Sequence, residues 1–170
     1  KVRVEIGNVI LQLKGLSQAG LLRNVNLVLK QGEILGIAGL AGSGRTELAH
    51  TICGIIKPDK GEIIWNGVKL SIKNYRQALD MGIVYVSEDR KDNGLIMPMS
   101  KKENISLELL RHISRFSFIN FKEEEKISRK YIKELSIKAP DGDFIVENLS
   151  GGNQQKLSVA KALATNPKVL

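Results

Sequence analysis

Apolar and polar positions alternate with period two over residues 25–29, where Val25, Leu27 and Leu29 share one face, and this predicts a half-buried strand. An earlier strand is predicted over 9–13, followed by a loop over 16–22 with Gly15 and Gly20 at its turns. Gln31-Gly32 makes a tight turn into the apolar run 33–38, which reads as a further strand. Leu48, Ile52 and Ile55 then recur at helical spacing over 46–56, and Pro58-Asp59-Lys60-Gly61 carries turn chemistry. Asn66-Gly67 between apolar stretches at 61–65 and 68–70 is the strongest hairpin signal in the chain, with Trp65 a packing residue. A short helix over 75–81 precedes a buried-type strand over 82–86, which runs directly into Ser87-Glu88-Asp89-Arg90-Lys91. The character becomes helical over 100–136, with Ile127, Tyr131 and Leu135 forming one core stripe among Lys and Glu.

Between the run at 33–38 and the helical pattern lies Gly39-Leu40-Ala41-Gly42-Ser43-Gly44-Arg45-Thr46. Strand, Gly-rich turn and helix in that order are the context of a phosphate-cradling P-loop. Glycines let successive N–H groups converge on an anion, and the following helix presents its positive end to the same charge. Thr46 stands where such loops place a Mg²⁺-ligating hydroxyl. Arg45 stands where they place lysine, exchanging a compact point charge for a wider planar fork. Charged residues straight after the strand at 82–86 fall at the carboxyl end of an open α/β sheet, where ligands bind.

Composition narrows the picture. The chain has 170 residues, enough for one domain with a substantial core, and 42% hydrophobic residues. No apolar run approaches the ~20 residues that span a bilayer, and the start, Lys1 to Glu5, does not read as a signal peptide. Cys53 is the only cysteine, so an internal disulfide is excluded and a reducing, cytoplasmic setting is expected. The net charge of +8 reads as a solvated basic surface. Arg111-His112-Ile113-Ser114-Arg115-Phe116-Ser117-Phe118 mixes bases with aromatics and is expected to be a helix connection whose rings pack inward, with no nucleic-acid partner. His50 and His112 lack partners at metal-ligand spacing.

A second motif, Leu149-Ser150-Gly151-Gly152-Asn153-Gln154-Gln155-Lys156, opens a helical run with Leu157, Ala160, Leu163 and Ala164 on one face. Ser150 is a natural N-cap, and the two glycines leave amides open to an anion. With LSGG following a P-loop, and Lys57-Pro58-Asp59-Lys60-Gly61-Glu62-Ile63 between them, the chain resembles the ATP-binding-cassette (ABC) ATPase family. The stretch Val84-Tyr85-Val86-Ser87-Glu88-Asp89-Arg90-Lys91 together with LSGGNQQK narrows the likeness to the second, C-terminal nucleotide-binding domain of bacterial monosaccharide importers of the ribose, galactose, xylose or autoinducer-2 type.

The resemblance implies an α/β P-loop cassette, with a mixed or parallel sheet core, an antiparallel β portion and a helical insertion. It places the core at 1–99 and 137–170 and the helical insertion at 100–136. It implies ATP and Mg²⁺ as cofactors, contacted by Gly39, Gly42, Ser43, Gly44, Arg45, Thr46, Glu47, Glu88, Ser150, Gly151, Gly152 and Gln154, with Thr46 and Glu88 on the metal. Implied partners are an N-terminal cassette of the same polypeptide, transmembrane permease subunits and, indirectly, a sugar-binding protein, at the cytoplasmic face of the inner membrane. The permease surface maps to about 94–105, where Met97 and Met99 read either as an adaptable exposed pair or as ordinary packing, and Lys101 and Lys102 read as surface positions. Three departures stand out. Glu88 replaces the usual Q-loop glutamine, no aromatic stands near Leu16 to stack adenine, and the Walker B strand with its catalytic Glu and switch His is expected after Leu170. A non-hydrolysing regulatory cassette and a soluble ABC ATPase acting on nucleic acid are the alternatives.

Overall fold

The structure is a computed structural model and describes residues 5–140 and 143–170. The chain divides into two compact units, one ending at Asp80 and one beginning at Met81. The first contains an antiparallel sheet in the order β2-β1-β3-β4, formed by β1 (Val9–Gln18), β2 (Leu22–Lys30), β3 (Lys60–Trp65) and β4 (Val68–Leu70). Leu11 and Leu13 of β1 sit opposite Trp65 and Ile63 of β3, and these buried cross-strand pairs anchor the sheet. The predicted hairpin forms, with Asn66 and Gly67 both in the left-handed region that a type I′ turn requires.

Strand β1 outruns its predicted end. A register shift between Leu13 and Leu16 absorbs Gly15, so pairing continues to Gln18. Leu16, expected in a loop, is fully buried. Residues 33–38 depart the other way: among the described residues no strand pairs with them, and Ile34 is 99% exposed. An apolar run becomes a strand only as one side of a ladder. The predicted strand at 82–86 is reduced to one parallel bridge, Ile83 with Val169, although Ile83 and Val84 are both buried.

The second unit holds α3 (Lys101–Ser106), α4 (Leu110–Ile113), β5 (Ser114–Arg115), β6 (Phe118–Ile119), α5 (Phe121–Glu134) and α6 (Gly151–Ala164). Its core is Leu95, Ile105, Ile137, Val146, Leu149, Leu157 and Ala160, and the predicted stripe Ile127, Tyr131 and Leu135 packs against it. Ser100 and Glu103 form a reciprocal capping box that starts α3. The Ser100 hydroxyl and N–H, both donated to the Glu103 carboxylate, hold that carboxyl below its usual range.

Two expectations are corrected here. The helical character of 100–136 is broken by the β5–β6 hairpin, and Phe116 and Phe118, expected inward, are 84% and 80% exposed. A two-residue turn displays its side chains instead of folding them back. Lys101 and Lys102, expected at the surface, are also drawn in. Met97 packs on the core, and Lys101 is buried with its ammonium donating to the Pro140 carbonyl. Lys102 pairs with Asp143 at 2.5 Å, a bond that raises the lysine pKa. The cause is backbone pairing: Lys101 N–H donates to Phe144 O, Val146 N–H to Met99 O and Glu147 N–H to Met97 O, at 3.0–3.1 Å.

Candidate functional site

The glycine-rich loop opens α1 (Arg45–Ile52), and its shape follows from two glycines. Gly42 and Gly44 have φ of +76° and +88°, while Ser43 between them does not take positive φ. That alternation of handedness is what turns successive amides toward one point. Ser43 N–H donates to Leu40 O at 3.1 Å, and Gly44, the residue before the helix, carries no side-chain cap. A Cβ on Gly44 would lie 2.7 Å from the Leu21 carbonyl oxygen, whereas one on Gly42 would meet open space. The loop therefore rests against its own unit at Gly44 and is open at Gly42.

Of the expected phosphate contacts, Arg45 is exposed and its guanidinium has only a 3.5 Å approach to Leu40 O. Thr46 and Glu47 are half-buried in the first turn, with the Glu47 carbonyl accepting from Thr51 Oγ1 at 2.7 Å. Behind them Leu48 and Cys53 are buried, and burial pushes the Cys53 thiol up to about 11. Open amides at a helix start, next to an uncommitted arginine, fit a polyphosphate. Leu16, fully buried, offers nothing for a base to stack on.

The second unit supplies a second uncapped helix start. Ser150 precedes α6 in extended conformation, but its hydroxyl accepts from Asn153 Nδ2 at 3.0 Å and does not cap the helix. Ser150, Gly151 and Gly152 are exposed, so the first-turn amides face outward. Gln154 turns the other way. It is 4% exposed, its Nε2 donates to Val146 O and its Oε1 accepts from Arg90 Nε, each at 3.2 Å.

Arg90 belongs to a single π-type turn over Arg90–Gly94, closed by Leu95 N–H donating to Arg90 O at 2.8 Å. Asp89 starts this turn by accepting from the amides of Lys91 and Asp92, and Glu88, just before it, is exposed. The turn is fastened to α6 once more, by Lys161 Nζ donating to Gly94 O at 3.1 Å, and Arg90 lies so close to Gly151 that a Cβ there would come within 2.9 Å of its Nη2. The segment bearing Glu88 and the start of the LSGG helix are thus joined through Arg90. Sequence reading placed Arg90 among the charges after the strand at 82–86 but not its tie to Gln154, because a bond spanning 64 positions leaves no local signal.

Among the described residues no group of three His, Cys, Asp or Glu side chains could hold a metal alone. Among the described residues no helix is long and apolar enough to cross a membrane. A glycine loop with left-handed hinges feeding one helix, and a second helix with uncapped outward amides, define a P-loop nucleotide-binding cassette.

Known proteins agree. A family model described as ABC transporter matches residues 22–170. A protein named ribose import ATP-binding protein RbsA 2 from Rubrobacter xylanophilus is 45% identical over 98% of this chain and 32% of its own length. The ribose import ATP-binding protein RbsA of Clostridium tetani is 44% identical over 99% of this chain and 34% of its own. Among solved structures, the ATP-binding cassette MJ0796 as a dimer bound to ADP and phosphate superposes with a TM-score of 0.75 at 26% identity, covering 93% of this chain and 71% of that one. The chain belongs to the ABC transporter family. It spans about a third of the length of the curated relatives it matches.

Proposed function

We propose that this chain is the second ATP-binding cassette of a two-cassette polypeptide that drives monosaccharide import. The observation that carries the reading is the pairing, in one chain, of the Gly42–Gly44 loop with the uncapped Ser150-Gly151-Gly152 helix start. The match to ribose import ATP-binding proteins over nearly the whole chain supports the transport class. In this reading Gly39, Gly42, Ser43, Gly44, Arg45, Thr46 and Glu47 hold the phosphates of one ATP, with Thr46 and Glu88 toward Mg²⁺. Ser150, Gly151 and Gly152 close over the ATP of the N-terminal cassette, and Gln154 supports that closure from within through Arg90. The core at 1–99 and 137–170 and the insertion at 100–136 are then one cassette working at the cytoplasmic face of the membrane. Its partners are a permease and, through it, a sugar-binding protein.

A second reading draws on Arg45, Glu88 and the buried Leu16: the chain donates its LSGG helix and binds no nucleotide. Calorimetric titration of Mg-ATP separates the two. Binding near micromolar Kd, roughly −8 kcal/mol, is expected for a working loop. Absence of heat from chain whose circular dichroism shows it folded overturns the first reading in favour of the second.

A further inference from the structure

We propose that the β5–β6 hairpin is an anchor for the surface of an anionic phospholipid membrane. Three of the four phenylalanines in the chain cluster here, and Phe116, Phe118 and Phe121 are 84%, 80% and 68% exposed. Residues 110–122 contain Arg111, Arg115 and Lys122 with no Asp or Glu, and all three bases are exposed. The Arg115 guanidinium lies 5.4 Å from the Phe116 ring centre, so charge and ring stand at one level. The nearest acids on α5 are committed. Glu124 is buried against Ser106, Glu125 pairs with Arg129, and Glu123 sits beside Lys126.

The turn itself argues for display. Phe116 and Ser117 have φ of +50° and +68°, a conformation that favours Asn-Gly and strains most other residues. Packing does not explain a phenylalanine at that position, because its ring touches solvent. Exposed aromatic rings at a two-residue turn, with Arg111, Arg115 and Lys122 exposed and no acid over 110–122, match the interface of an anionic bilayer: the rings enter the headgroup layer and the bases meet lipid phosphates. The shallow surface beside the tip, lined by Phe121, Lys122, Glu125, Lys126 and Arg129, carries three bases to one paired acid and no enclosed apolar anchor of the kind a protein partner fills. The inference uses nothing from the nucleotide loop, so it fails or stands independently of the import reading.

The test is vesicle flotation of the full-length polypeptide carrying this chain, without permease. One set of vesicles is phosphatidylcholine; the other is equimolar phosphatidylcholine and phosphatidylglycerol. Partition to the anionic set is expected about tenfold above the neutral set. The triple variant Phe116→Asn, Ser117→Gly, Phe118→Thr suits the turn and strand better than the native residues, so its melting temperature and ATPase rate should hold. Its partition should fall roughly tenfold. Phe121→Ser, outside the hairpin, is a second variant with the same expected direction. Equal partition of variants and native protein, no preference for phosphatidylglycerol, or binding only once permease is reconstituted would each overturn the proposal. Self-association abolished by the variant without vesicles would also do so, by assigning the tip to a second copy.

Discussion

The two uncapped helix starts are built by opposite means. The Gly39–Thr46 loop owes its form to backbone: left-handed Gly42 and Gly44, one close approach to Leu21, and an eight-residue helix behind it. The Ser150 end owes its form to side chains: fourteen residues of α6 seated on Leu157 and Ala160, with Gln154, Arg90 and Lys161 tying it to the preceding turn. A site made from backbone can change its ligand chemistry at one side chain without losing its shape. A site made from packed side chains responds to changes well away from the ligand.

That contrast breaks most visibly in the core of the second helix. Leu157→Ala empties a fully buried site and should lower unfolding stability by about 2–5 kcal/mol, measured by urea denaturation. A loss below about 1 kcal/mol would mean that α6 is not held by its packing.

Arg90→Ala should cost about 1.5–3 kcal/mol by removing a charged donor from a buried amide. It should also lower kcat of the assembled ATPase more than KM. Arg90→Lys, unable to reproduce the fork over Gly151, should restore stability in part and kcat less.

Ser100→Ala removes a capping box worth about 1 kcal/mol and sharpens the pH side of the comparison. Folding lowers the Glu103 pKa, so its contribution is present above the unfolded carboxyl range and is lost as pH falls through the lowered value. The variant should therefore show a shallower decline of stability in acid than the native chain.

Arg45→Ala should leave stability within about 0.5 kcal/mol, because its side chain has no firm partner. Any loss should appear only as weaker Mg-ATP heat in titration.

Local chemistry made the first helix start legible and half of the second. Gly42, Gly44 and the Asn66-Gly67 turn announce themselves because glycine and asparagine at those spacings have few other uses. Ser150-Gly151-Gly152 is equally local. What supports it is not: Arg90 meets Gln154 across 64 positions, and Lys101 is buried because residues 97–101 pair with 144–147. The run at 33–38 has the composition of a strand, but a ladder needs a second side that composition does not supply. The Phe116-Ser117 turn was invisible because neither residue favours positive φ, and that mismatch makes its exposed rings informative.

The pairing of residues 97–101 with 144–147 has a consequence for how this architecture can diversify. Ser100 opposite Ile145 and Lys102 on Asp143 fasten that pairing, while Ile105, Tyr131 and Ile137 from the stretch between pack against α6 and leave the β5–β6 tip as the part outside the core. Closing a longer excursion adds little entropic penalty, since that penalty grows only with the logarithm of length. The tip over 114–119 can therefore be lengthened or exchanged while the core residues on either side hold the helix that presents Ser150 in place. New tips, aromatic or otherwise, are cheap evolutionary experiments on this frame.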